Sequence, residues 1–426
     1  MHSFNFSAAY MPWHEQLLAY LRAEKEKGRK IVLATAANRN IADAVSKFLG
    51  LFDEVLASDG SHNLKGRTKL KAIQEKIGTA FVYAGNSKVD LPIWKAAQAA
   101  ILVGTSPRLK KTVCRDIQVE HNFPGVDRSL SVWLRTLRIH QWLKNLLLFV
   151  PLLTAYSFLR LDKLASTTIA FFVFSLVASA CYIINDLWDI ENDRAHPRKR
   201  YRPFASASIP ILKGIAVAGV LLSFAFVLAL IVSKGFLIIL VLYFVLICSY
   251  SCSLKRYIMI DVIILSLLYT LRIVVGSVVT GLIISSWLLV FSVFFFLSLA
   301  LVKRCSELVS LEQVGRKVAC GRNYRISDLA VLYPLGIGSA LSAMVVFGLF
   351  INAPETQMRY ATPNLLWLAV VCMIYWLARL WVKTSRGEIH DDPVIYAIKD
   401  RNSCVVLLVV TSTMLVAHFM KLRLTL

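Results

Sequence analysis

Apolar positions along the chain fall into two regimes. Up to about residue 125 they come in short runs between charged stretches. KIVLAT (30–35), EVLAS (54–58), AFVYAG (80–85) and AILVG (100–104) read as buried strands. Helical patterns near 38–49, 65–76 and 91–99 separate them, and Glu15, Glu24 and Glu26 sit in a further helical pattern. Alternating strands and helices predict a parallel α/β sheet. From about residue 142 the apolar runs lengthen to about 20 residues, enough to cross a hydrocarbon core. Nine such runs stand at 142–158, 164–185, 211–232, 235–252, 258–281, 284–302, 327–351, 362–382 and 403–424. The predicted fold is an all-α polytopic membrane protein of nine transmembrane helices, preceded by a small α/β domain. The domain boundary falls at 1–125 and 126–426.

Composition narrows the class. Of 426 residues, 57% are apolar and only 17% are charged, whereas soluble domains carry about a quarter charged residues. Mean hydropathy is +0.60. These values exclude a disordered chain and count against an ordinary soluble enzyme. The eight cysteines stand apart at 114, 181, 248, 252, 305, 320, 372 and 404, with no C-x-x-C pair. Free thiols are expected rather than a disulfide framework or a zinc site. Cys248 and Cys252, four apart in an apolar run, are expected to pack. No N-terminal signal peptide is visible, the first apolar stretch being short and containing His and Glu.

The net charge of +22 is unevenly placed. Residues 1–125 hold 18 Lys/Arg and 11 Asp/Glu. Beyond them, the segments 186–210, 253–257, 303–326 and 383–402 hold 17 Lys/Arg, against six in the alternate loops and C-terminal tail. The positive-inside rule then places the N-terminus and the first set of loops in the cytoplasm and the C-terminus outside, in a bacterial plasma membrane. Span ends account for the positive charge, so nucleic acid is not an expected partner and the lipid bilayer is.

Chemistry concentrates where the second run ends, in CYIINDLWDIENDRAHPRKRYRPFASASI (181–209). Asp186, Asp189 and Asp193 recur at i, i+3 and i+7, which predicts one face of a continuing helix. Three carboxylates on one stripe repel unless a cation lies among them, and carboxylate oxygens suit Mg²⁺. A solvated helix end with incidental acids is the alternative, but acids at a membrane boundary are costly. His196, Arg198, Lys199, Arg200 and Arg202 follow, after Asn185 and Arg194. Such a run serves as a topology signal or headgroup contact; beside a carboxylate stripe it also suits a clamp on metal-bridged phosphates.

N-D-x-x-D-x-x-x-D-R-x-H-P-x-K-R-x-R-P resembles the UbiA superfamily of intramembrane prenyltransferases, closest to its decaprenyl-phosphate phosphoribosyltransferase branch. Supporting stretches are LRIHQWLKNLLLFVPLL (137–153), SLKRYIMIDVIILSLLYTLRIVVG (253–276), LVKRCSEL (301–308), GRNY (321–324) and HDDPVIYAIKDRNS (390–403). The resemblance covers about 128–426 and implies nine spans around a cytoplasm-facing cavity. Where the family's prenyl-diphosphate enzymes carry a second D-x-x-x-D, this chain has Lys303, Arg304 and Glu307. One carboxylate cluster and a cationic facing segment suit phosphoribosyl pyrophosphate, with its leaving diphosphate and separate 5-phosphate, and a polyprenyl phosphate acceptor.

The implied reaction is Mg²⁺-dependent transfer of 5-phosphoribose to polyprenyl phosphate, serving arabinose donation to envelope glycans. Metal ligands are then Asp186, Asp189 and Asp193. Lys144 and Asn145 match the family's W-x-K-N element and join Lys255, Arg272, Arg322 and Tyr324 as phosphate-binding candidates, although Lys144 would also suit snorkelling to headgroups. Asp261 and Glu307 are further polar pocket residues. Asp261 and Arg272, 11 residues apart on one span, are expected to have separate partners, and Arg272 would also serve as an interhelix tie. HDDP (390–393) reads as a turn ended by Pro393, with a second metal site on His390, Asp391 and Asp392 as the alternative. Rival functions are prenylation of an aromatic or quinone precursor, disfavoured by the missing second motif, and non-catalytic binding or transport of lipid phosphate, disfavoured by the carboxylate stripe.

Thr35, Lys65 and GNSKVD (85–90) resemble the haloacid dehalogenase-like (HAD) phosphatases, in which a hydroxyl and a lysine hold phosphate and two acids help hold Mg²⁺. Here Asn86 replaces the first acid, leaving Asp90, and no D-x-D stands upstream of Thr35. Covalent phosphatase chemistry needs that nucleophile, and in this family the strand that carries it is central in the sheet. The expectation is a truncated α/β domain with a structural or docking role. A membrane-anchored phosphatase is the third rival.

Overall fold

The computed structural model describes residues 8, 11–59, 63–125, 129–196, 199–313, 323–389 and 392–421. Two compact units emerge, one of residues 1–133 with 189–211, the other of 134–188 with 212–426.

In the first unit the helix Glu15–Glu26 precedes β1 (Val32–Asn38), β2 (Glu54–Ser58), β3 (Val82–Gly85), β4 (Ala99–Val103) and β5 (Val119–Phe123). All strand pairings are parallel, as alternation with helices requires. The strands do not form one sheet: β1 pairs with β2, and β3–β4–β5 form a second sheet. The helix Pro107–Asp116 and β5 were not expected. The burial of β5 explains the latter, because VEHNF carries only one buried residue, Phe123. The core is Leu56, Ile73, Tyr83, Ile93, Trp94, Ala100 and Leu102 with their neighbours.

In the second unit, eight helices among the described residues are long and apolar enough to cross a membrane. They are Leu161–Trp188, Ile211–Val232, Lys234–Cys252, Ile260–Thr280, Ser286–Gln313, Ile326–Asn352, Pro363–Ser385 and Arg401–Phe419. Each overlaps one of the predicted runs. Ile211–Val232 and Lys234–Cys252 bury only 17% of their apolar windows. Leu212, Ile215, Val220, Phe224, Val227 and Ile231 are exposed. That many bare apolar side chains fit lipid, not water, as surrounding solvent.

The predicted first run, 142–158, forms no continuous span. It winds as a 3₁₀ segment, Ile139–Phe149, and one short helix, Val150–Thr154. Pro151 stands in the first turn of that helix, where its missing N–H is tolerated but would break a longer one. The segment instead packs sideways. Asn145 donates to Ser175 Oγ at 2.9 Å and Trp142 donates to Ser179 Oγ at 3.0 Å, while Ser179 donates to the Leu137 carbonyl at 2.7 Å. Gly276 makes the close approach possible, since a Cβ there would overlap the Leu148 carbonyl.

Two boundaries move chemistry onto helices. Ser286–Gln313 runs beyond the predicted end at 302, so Lys303, Arg304 and Glu307 are helical rather than in a loop. Pro393 opens the helix Pro393–Lys399 instead of ending a turn, and Asp392 caps it by accepting from Val394 N at 3.2 Å.

Candidate active site

The stripe of aspartates is interrupted. The Leu161–Trp188 helix ends before Asp189, whose φ of −92° and ψ of 14° begin a second helix, Ile190–Ala195. The expected continuing helix is therefore two pieces, and the Asp193 N–H donating to the Asp189 carbonyl at 2.8 Å opens the first turn of the second.

Asp186 is buried and accepts from Arg138 at 2.6 Å. The Arg138 guanidinium also lies 4.7 Å from the Tyr182 ring. With Ser175 and Ser179, these contacts make positions 175, 179, 182 and 186 a polar edge of an otherwise apolar helix. Asn185 is half-buried on the same helix. Asp193 is buried and accepts from Arg202 at 2.8 Å. Arg194 donates to the Ala205 carbonyl at 3.2 Å, and His196 Nδ1 accepts from the Lys199 N–H at 3.3 Å. Lys199 and Arg200 are exposed, Arg200 donating to the Tyr201 hydroxyl at 2.8 Å. Arg198, Arg322, His390 and Asp391 lie outside the described residues.

A second constellation forms within the membrane unit. Asp392 Oδ2 accepts from Lys144 at 2.7 Å and from Lys303 at 3.1 Å, and its Oδ1 lies 3.4 Å from the Tyr269 hydroxyl. Lys144 Nζ also sits 5.6 Å from the Tyr269 ring. Burial alone would raise the Asp392 carboxyl, but the Lys303 and Lys144 ammoniums overcome it and hold the group well below the usual carboxylate range. Lys144 is therefore buried on an ion partner instead of snorkelling, and Asp392 faces two cations, an environment opposed to a metal ligand.

Arg272 does not touch this carboxylate. It donates to Asn145 Oδ1 at 2.9 Å, to the Tyr243 hydroxyl at 3.3 Å and to the Leu268 carbonyl. Asp261 has its own partners: Arg304 at 2.5 Å and the Tyr324 hydroxyl at 2.5 Å. Arg304 also donates to Glu307, and the Tyr324 hydroxyl accepts from Met259 N at 2.9 Å. The separate partners expected for Asp261 and Arg272 are thus observed. Asn145, Arg272, Arg304 and Tyr324 are buried with hydrogen-bond partners on other segments of the protein. Lys255 is half-buried in the turn Leu254–Arg256. The sequence reading did not single out Arg138 or Tyr269, whose partners Asp186 and Asp392 are 48 and 123 residues away.

Carboxylate oxygens on Asp186, Asp189 and Asp193 are the donor type that Mg²⁺ takes. Among the described residues no three His, Cys, Asp or Glu side chains stand together at ligand spacing, and the fit of these donors is one of chemistry.

In the first unit, a cavity of about 590 Å³ is lined by Lys65, Lys69, Tyr83, Asn86 and Asp90 among others. Asp90 Oδ2 accepts from Asn86 N at 3.1 Å and Ser87 N at 3.0 Å, and its Oδ1 accepts from the Tyr83 hydroxyl at 3.2 Å. Lys69 donates to that hydroxyl at 3.2 Å, and burial lowers its ammonium's pKa. Thr35 Oγ1 accepts from Ala37 N at 3.1 Å.

Comparison with known proteins accords with both units. Residues 3–95 match the haloacid dehalogenase-like hydrolase family, and residues 146–399 match the UbiA prenyltransferase family. A Sinorhizobium fredii protein, "Uncharacterized protein y4nM", is 39% identical over 96% of this chain and 79% of its own length. The "Nodulation protein NoeC" of Azorhizobium caulinodans is 34% identical over 64% of this chain and 88% of its own. The "Decaprenyl-phosphate phosphoribosyltransferase" of Mycolicibacterium smegmatis is 31% identical over 64% and 87%. Among solved structures, a UbiA homolog from Archaeoglobus fulgidus bound to DMAPP and Mg²⁺ aligns with a TM-score of 0.51 at 14% identity, covering 67% of this chain and 98% of that one. The same homolog bound to GPP and Mg²⁺ gives 0.50 at 13% identity, over 68% and 100%. At such identities the likeness is one of fold. With a family match over more than half its length and eight membrane-length helices, the chain belongs to the UbiA prenyltransferase family and is a multi-pass membrane transferase.

Proposed function

We propose that the chain transfers 5-phosphoribose from phosphoribosyl pyrophosphate to a polyprenyl phosphate and releases diphosphate. One observation carries this reading above prenyl transfer: Lys144 and Lys303 converge near the place where a second carboxylate motif would serve a prenyl diphosphate. Cations there suit a substrate with a phosphate apart from its diphosphate. The similarity to decaprenyl-phosphate phosphoribosyltransferases supports it.

Asp186, Asp189 and Asp193 would hold Mg²⁺, which when bound neutralises charge developing on the leaving diphosphate. Lys144 and Lys303 bind the separate phosphate and orient the sugar. Arg138 holds the Asp186 carboxylate at 2.6 Å and limits its rotation. Lys199 and Arg200, exposed after the aspartates, stabilise the diphosphate. The bond from C1 to the diphosphate oxygen breaks as the lipid phosphate oxygen attacks C1. That oxygen is already an anionic nucleophile, so no general base is needed. In this reading the active site and N-terminus face the cytoplasm of a bacterial plasma membrane, with the polyprenyl chain in the bilayer.

The test is transfer of labelled phosphoribosyl pyrophosphate to polyprenyl phosphate by purified protein, with and without Mg²⁺. A Mg²⁺-dependent lipid-linked label is expected. Prenyl transfer from a prenyl diphosphate to an aromatic acceptor, without ribose transfer, would overturn the reading.

A further inference from the structure

The contacts of Asp392 are divided between its two oxygens. Oδ2 takes both ammoniums, Lys144 at 2.7 Å and Lys303 at 3.1 Å. Oδ1 faces the Val394 N–H at 3.2 Å and the Tyr269 hydroxyl at 3.4 Å. One carboxylate thus sits between two lysines from distant segments and leaves a surplus positive charge. The Asp392 side chain is only 7% exposed and Lys144 10%, but Lys303 is 33% exposed, so a solute reaches the pair from the Lys303 side.

A phosphate dianion matches two ammoniums in charge and offers more acceptor oxygens than Oδ2 does. The helix cap and the tyrosine contact both involve Oδ1. The lysines can therefore exchange Oδ2 for a phosphate oxygen while Asp392 keeps its place on the backbone. A carboxylate that stayed between them would repel the incoming phosphate.

We propose that Asp392 is a resident counter-ion of the Lys144–Lys303 phosphate site: its carboxylate occupies the place of a substrate phosphate and sets the affinity by being displaced. The proposal deepens the phosphoribosyltransferase reading and rests on it for the two candidate ligands, each of which carries a phosphate.

The test is a binding measurement, so that it stands apart from turnover. Purified protein in nanodiscs is titrated with phosphoribosyl pyrophosphate and, separately, with a short-chain polyprenyl phosphate, for the wild type, Asp392→Asn, and the Asp392→Asn/Lys144→Gln pair. Asparagine keeps the helix cap and removes the charge. Asp392→Asn is expected to tighten one of the two ligands by on the order of tenfold, the scale of one displaced ion pair. The ligand that responds identifies whether the phosphate is the soluble donor's or the lipid's. The double variant is expected to lose the gain. Unchanged or weaker binding of both ligands by Asp392→Asn, with an unfolding temperature like the wild type's, would overturn the proposal and leave Asp392 a structural tie. So would a gain that survives in the double variant. Absence of ribose transfer by a protein whose phosphate binding still tightens would instead count against the reaction alone.

Discussion

Arg138 holds Asp186 at 2.6 Å from a backbone that L-residues seldom adopt, with φ +50° and ψ +48°. Asp186 is 3% exposed, so its carboxylate meets this guanidinium largely shielded from solvent. A strained backbone kept at a buried ion pair is where a tertiary constraint overrides local preference. Arg138→Ala leaves a buried carboxylate without that partner and is expected to cost about 2–4 kcal/mol, below the full buried-pair range because the arginine is partly exposed. Arg138→Lys keeps the charge and is expected to lose less than half of that. Thermal unfolding in detergent reads both; equal losses would mean the charge is not what matters.

Asp189 stands at the helix break between Trp188 and Ile190. Asp189→Asn preserves a residue suited to a helix N-cap and removes one carboxylate oxygen donor. Transfer is expected to fall at least about 100-fold, the scale of losing one transition-state contact, with no shift in unfolding temperature. Raising Mg²⁺ is expected to recover part of the rate. Retained activity at low Mg²⁺ would refute the metal assignment.

Much of this arrangement was legible in the sequence, and the parts that were not share a cause. Eight spans could be placed because lipid demands apolar side chains along the whole length of a helix. The failed run, 142–158, is equally apolar in composition. Its fate is decided by Pro151 and by Trp142 and Asn145, whose partners are 37 and 30 residues away. The separate partners of Asp261 and Arg272 could be deduced from helical rise alone, but not that Arg304 and Tyr324 would supply them. Asp392 read as a turn residue because its lysines are 248 and 89 residues distant. Tertiary pairing, invisible to local pattern, decided each of these.

The Arg304 cluster is a tie within the bundle. Arg304 is fully buried between Asp261 and Glu307, and its Nε has no hydrogen-bond partner among the described residues. Tyr324→Phe removes the hydroxyl that donates to Asp261 and accepts from Met259 N. It is expected to lower stability by about 1–3 kcal/mol, the cost of leaving buried polar groups unmatched. Substrate KM is expected to stay within about twofold of wild type, since a residue that does not touch substrate has little differential effect on its binding. A large KM increase at unchanged unfolding temperature would return Tyr324 to the substrate site.

Helix packing near the bundle centre depends on one missing methyl group. Ser298 Oγ donates to the Gly336 carbonyl at 2.9 Å and accepts from Trp381 Nε1 at 3.1 Å, drawing three helices together. A Cβ on Gly336 would overlap the Trp381 indole and come within 3.2 Å of the Leu301 Cβ. The indole is itself fixed by its hydrogen bond, so it has little freedom to yield. Gly336→Ala is expected to destabilise by about 1–3 kcal/mol through overpacking, although alanine favours helix more than glycine does. Gly338, two residues on, meets nothing within 4 Å. Gly338→Ala is therefore expected to be neutral or stabilising. Comparing the unfolding temperatures of the two variants separates packing from helix propensity: if both rise together, the close approach at Gly336 is not a constraint.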